Sequence, residues 1–184
     1  MEEKKKVVIT WTIIIVGLIC GIVGFICGIA CGLNRKNREY SEYLYEKAKQ
    51  YMISQTQEES VDKDKENFNV FIAYKGFGSS NEGETKVVYI LMLIKSYYVE
   101  DGKLYSSAES SIPYKISFND EKVVEVEMPK DGEQYYETAK ELFPSKILNK
   151  ILDLSHYGDS LNNEISEQLK EYYTNINTTN INYK

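Results

Sequence analysis

KVVYILMLIKSYYVEDGKLYSS, residues 86–107, decides how this chain folds. Its middle is apolar without interruption from Val87 to Ile94, so no face is reserved for water. The β-branched and aromatic content predicts a central strand over Lys86–Glu100. Asp101-Gly102 then supplies a two-residue hairpin turn, because both positions tolerate positive φ. The chain returns through Lys103–Ser107.

Working outward, Phe68–Tyr74 (FNVFIAY) reads as the preceding strand, joined through a Gly/Ser/Asn-rich loop over Gly76–Glu84. On the other side Ile112, Tyr114, Ile116 and Phe118 alternate, Asn119–Lys122 turns, and Val123–Met128 is a last strand. Connections this short make an antiparallel meander of four strands. Pro129 ends the sheet. Asp131 and Gln134 form a capping-box pattern ahead of Tyr135, Ala139, Leu142 and Phe143. Beyond Pro144, with Ser145 as a second cap, Ile147, Leu148, Ile151 and Leu152 predict a short helix; Leu161, Ile165, Leu169 and Tyr172 predict a third. Before the sheet, Tyr40, Tyr43, Leu44, Ala48, Tyr51 and Met52 recur at helical spacing. A helix, a four-stranded antiparallel sheet wrapped on it, then helices define an α+β fold.

Ahead of all this lies Val7–Leu33, 27 residues without a charge. About 20 apolar residues suffice to span a bilayer as a helix, and a cleaved signal has a shorter apolar core. The expected organisation is a cytoplasmic tail at 1–6, a transmembrane helix at 7–33, a juxtamembrane helix at 34–57, an α+β soluble domain at 58–173 and a flexible tail at 174–184. Gly17, Gly21, Gly24, Gly28 and Gly32 fall on one face of the span at 100° per residue. Small residues at four-residue spacing let membrane helices approach and pack, so this face predicts self-association or pairing with another membrane helix. Cys20, Cys27 and Cys31 lie in the same span, read as small packing residues, with lipidation or bridging at Cys31 as alternatives.

Three basic residues flank the span on each side, but a six-residue tail is easily kept in the cytoplasm, which places the soluble part outside the cell. Residues 39–184 carry 16 basic and 26 acidic groups, a net charge of −10 that repels nucleic acid. With no cysteine there, the soluble part has neither a disulfide framework nor a thiol nucleophile. One histidine, His156, cannot make a zinc site, and adjacent Ser155 and Asp159 do not make a triad. Asp62, Asp64 and Glu66 lack the glycine of a calcium loop, and Gly76-Phe77-Gly78 lacks the third glycine of a dinucleotide fingerprint. No cofactor and no metal are expected. The tyrosine doublets Tyr97/Tyr98 and Tyr135/Tyr136 each leave one ring for an outside contact and are the expected anchors for an unidentified protein partner.

Ile112-Pro113-Tyr114-Lys115, Pro129-Lys130-Asp131-Gly132 with Tyr135, and Phe143-Pro144 resemble small single-pass membrane-anchored proteins of low-GC Gram-positive bacteria over residues 70 to 152. That resemblance implies a cell-envelope location and a cystatin-like or NTF2-like soluble domain, and it supplies no catalytic residue. The same layout occurs in membrane-tethered scaffolds of bacterial conjugation machines. The leading expectation is a membrane-anchored, non-catalytic binding protein; the alternatives are a scaffold of a secretion or conjugation apparatus, and a hydrolase with a carboxylate pair in the concave sheet.

Overall fold

The apolar run at Val87–Ile94 lies in the middle of a sheet. In the computed structural model residues 35–153 and 156–174 are described. The expected span Val7–Leu33, with its five glycines, lies outside them, as do residues 175–184. Among the described residues no helix is long and apolar enough to cross a membrane. The chain divides into two compact units, Met1–Tyr40 and Ser41–Lys184. Of the first, residues 35–40 are described; they are helical, and Arg35 pairs with Glu39 one turn on at 2.8 Å.

The second unit holds four strands, β1 (Asn69–Glu82), β2 (Thr85–Glu100), β3 (Lys103–Asn119) and β4 (Lys122–Glu127), in the order β1-β2-β3-β4. Every neighbouring pair is antiparallel, the meander the sequence predicts. The turns after β2 and β3 each carry two consecutive positive φ angles, 50° and 70° at Asp101-Gly102, 46° and 66° at Asp120-Glu121. That geometry matches the twist of the strands it joins.

Two strands are longer than alternation suggested. The expected loop at Gly76–Glu84 is strand as far as Glu82, with only Gly83-Glu84 turning. The cause is a bulge: Gly76 faces Ile90 and Gly78 faces Tyr89, so Phe77 is an extra residue whose ring stays buried. β3 likewise runs through Ala108–Ser111 without a break, with Ser107 bulged between the pairs Ser96↔Ala108 and Tyr97↔Ser106. A bulge reverses which parity faces which side. Leu104 therefore faces one core while Ile112, Tyr114, Ile116 and Phe118, all even-numbered too, face the other.

Helix α1, residues 35–59, lays Leu44, Tyr45 and Ala48 on the face of the sheet made by Val70, Ile72, Val88, Ile90, Met92, Ile116 and Phe118. Tyr40, Tyr43 and Tyr51, expected on that apolar face, are exposed, and Tyr45 takes the buried place. The Tyr45 ring sits where Gly76 has no side chain, and the Gly78 N–H donates to its hydroxyl at 2.8 Å. Tyr43 instead donates to Glu121 at 2.6 Å.

The opposite face carries α2 (Tyr135–Leu142), α3 (Ser145–Ile151) and α4 (Gly158–Thr174). Their Ala139, Phe143, Leu148, Ile151, Leu161, Ile165 and Leu169 pack on Phe71, Tyr89, Leu91 and Leu93. In α4 the buried tyrosine is Tyr173, where Tyr172 was expected. Neither expected cap forms. A 3-10 turn at Gly132–Gln134 precedes α2 and Asp131 makes no capping bond; the Thr138 hydroxyl accepts from the Lys130 N–H at 3.0 Å instead. Pro144, with φ already helical at −54°, stands at the start of α3 and Ser145 is its first residue. The sheet is thus covered on both faces, as the apolar middle of β2 demands.

Candidate functional site

α1 covers one end of its sheet face tightly and the other end loosely. Over Leu44–Ala48 it meets Ile72, Ile90 and Phe118, large side chains that fill the layer. One to three turns later the sheet offers Ser96 on β2 and Ala108 and Ser110 on β3. Side chains this small cannot reach the helix, and a groove of about 400 Å³ opens between them. Such a volume falls in the range of small-molecule sites.

The helix wall is the stripe Tyr51, Met52, Gln55, Thr56 and Glu59, neighbours on one face at three- and four-residue spacing. The far wall is Val126 of β4 with Met128 just beyond it. Ile94 and Tyr114 complete the floor. Two methionines give the walls an adaptable, polarisable surface.

The most buried polar groups of the lining are two hydroxyls, with Gln55, Thr56 and Ser110 half-buried around them. Tyr114 is 5% exposed and Ser96 2%, yet neither hydroxyl bonds to another described residue. No fully enclosed polar side-chain atom among the described residues lacks a partner, so both hydroxyls reach the space of the groove. Burial raises the Tyr114 pKa, which keeps its phenol protonated as a donor at neutral pH. The formal charges in the lining are Glu59 and Glu109; among the described residues no Lys, Arg or His lines it. Glu109 is already engaged, its carboxylate 3.0 Å from the Lys95 ammonium.

The residues singled out by sequence lie elsewhere and do not converge. Tyr97 is buried on the α4 side, its ring edge-on to Phe71 at 6.1 Å. Tyr98, on the other face, stacks on Tyr105 at 5.6 Å with the Lys65 ammonium 5.2 Å from its centroid. Tyr135 packs against the core of the helical face, while Tyr136 is 50% exposed. Gly17, Gly21, Gly24, Gly28 and Gly32 lie outside the described residues. His156 is an exposed side chain 3.2 Å from Asp153. Asp62 accepts a 2.5 Å hydrogen bond from Ser107 and ties the loop after α1 to the β3 bulge. Among the described residues no three His, Cys, Asp or Glu side chains group as a metal site.

Sequence reasoning passed over the groove because its makers look unremarkable. The signal was present in SSAESS, residues 106–111, a strand segment of small side chains next to one of large ones. Fold and site together define an α+β protein with an open groove between a helix and an antiparallel sheet. No protein family, curated protein or solved structure matches the chain.

Proposed function

We propose that this chain is a single-pass membrane protein of the cell envelope that presents a non-catalytic binding domain outside the cell. The observation that carries the reading is the groove: a lining that mixes apolar with polar side chains, two buried hydroxyls that bond to no other described residue, and no Lys, Arg or His among the described residues that line it. Such a lining suits reversible capture by shape and hydrogen bonding. The anchor rests on the uncharged run Val7–Leu33 and its one-sided glycines. Tethering raises effective concentration at the membrane, so modest affinities suffice. The element order, a helix and then a four-stranded meander packed against it, supports a cystatin-like or NTF2-like layout, with α2–α4 as an added cover on the other face.

Two measurements on the full-length chain test the anchor. After carbonate extraction of cells expressing it, the intact chain stays with the membrane fraction. In lipid nanodiscs carrying donor- and acceptor-labelled chains, energy transfer reports self-association, and Gly21→Ile with Gly24→Ile lowers it at least tenfold, because each added side chain holds the backbones apart. An intact chain recovered in the aqueous fraction overturns the anchor; undiminished transfer in the double variant overturns the glycine interface.

A further inference from the structure

The groove's own chemistry narrows what it takes. A ligand that fills about 400 Å³ has to satisfy the Tyr114 and Ser96 hydroxyls, which bond to no other described residue. A ligand that displaces water from the Tyr114 hydroxyl must offer it an acceptor in exchange, and a carbonyl oxygen does so. Met52 on the helix wall, Ile94 on the floor, and Val126 and Met128 on the far wall ask for an apolar body. Charge discriminates further. The carboxylates of Glu59 and Glu109 at the lining, and a net −10 over residues 39–184, repel anions. A cation would give up its hydration on a floor of hydroxyls and aliphatic groups, and the Glu109 carboxylate is already held by Lys95.

We propose that the groove binds an uncharged amphiphile, an apolar body between Met52 and Met128 with an amide-type head whose carbonyl accepts from the Tyr114 hydroxyl and whose N–H meets Ser96. This rests on the binding reading and goes beyond it by naming the ligand's chemistry.

The methionines provide the test. Of the four in the chain, Met52 and Met128 line the groove, whereas Met92 is fully buried in the core beside it. Full-length protein with ¹³C-methyl methionine, in lipid nanodiscs, is titrated with three probes sharing one body: 3-phenylpropanamide, 3-phenylpropanoate and 3-phenylpropylammonium. The amide shifts the Met52 and Met128 methyl signals saturably and leaves Met92 in place. The two charged probes bind at least tenfold more weakly. Tyr114→Phe weakens the amide about tenfold, the size of one hydrogen bond, and leaves the fold intact because that hydroxyl bonds to no other described residue. Ala108→Phe, which fills the floor, removes the shifts with the Met92 signal unchanged.

A groove that holds only water gives no methionine shift with the amide, and that result overturns the proposal. So does a charged probe that binds as tightly as the amide, or a Tyr114→Phe variant of unaltered affinity. Failure of the anchor is a separate outcome: a chain found in the aqueous fraction that still shows the amide-specific shifts keeps the groove assignment and loses only its tether.

Discussion

A methyl group placed on Gly76 would meet the Tyr45 ring at 2.2 Å from Cε2 and 2.4 Å from Cζ, far inside van der Waals contact. The ring has nowhere to retreat, since it is buried and its hydroxyl holds the Gly78 N–H at the bulge. Gly76→Ala is therefore an overpacking substitution and costs about 2–3 kcal/mol of folding stability. In a Tyr45→Leu background the same change costs under about 1 kcal/mol, because the obstructing ring is gone. Urea unfolding of the four chains in a double-mutant cycle measures this coupling. Additive effects would show that the ring and the glycine do not face each other. The sequence alone puts this glycine at the start of a loop, because nothing local announces a ring arriving from a helix some thirty residues earlier.

At the scale of the element, α4 turns on which of two adjacent tyrosines faces the sheet. Tyr173 is 1% exposed; its hydroxyl donates to the Asn67 carbonyl at 3.1 Å and its ring lies 6.0 Å from Phe71. Tyr172 is 38% exposed and touches Phe71 edge-on from outside. Tyr173→Ala removes a buried ring and leaves a cavity, at a cost of about 3–5 kcal/mol. Tyr172→Ala loses an exposed ring contact and costs no more than about 1.5 kcal/mol. Thermal unfolding of the two variants separates these values, and a reversed order would mean a helix rotated by one residue. Periodicity from Leu161, Ile165 and Leu169 permits either tyrosine as the next position, since 3.6 residues per turn allows steps of three or four. The choice is made by Phe71 and Asn67 on another element. The same limit hid the length of β3. Serines and alanines pair backbone to backbone as well as valines do, so SSAESS is strand despite carrying no alternation. The apolar run at Val87–Ile94, by contrast, was legible because its pattern reports burial on both faces at once. Legibility stopped at the groove, which arises from side chains too small to leave a hydrophobic signal.

At the scale of the whole molecule, tyrosines are enclosed in both layers that cover the sheet, and this gives the fold a direction of pH sensitivity. Burial raises the pKa of Tyr45, Tyr114, Tyr135 and Tyr173, and burial together with a hydrogen bond to Glu46 raises that of Tyr74. Burial works to lower Lys115, but the bond to Glu127 and the charges of Glu127 and Glu82 outweigh it and leave that pKa raised as well. All six groups hold their proton more tightly folded than unfolded. Their contribution is complete below about pH 10, where the unfolded tyrosines and lysine still carry theirs, and is lost as pH rises through the higher folded values. The tyrosines sit on both sides of the sheet, Tyr45, Tyr74 and Tyr114 with α1, Tyr135 and Tyr173 with α2 and α4. Ionising any of them places a charge against β1–β3, so neither layer is spared. Circular dichroism of the full-length chain is accordingly level from pH 7 to about 9.5 and then falls cooperatively. The 295 nm tyrosinate absorbance of these buried rings rises together with that fall. Absorbance complete at high pH with the dichroism unmoved would mean that these hydroxyls ionise in the folded chain, and that burial does not hold them neutral.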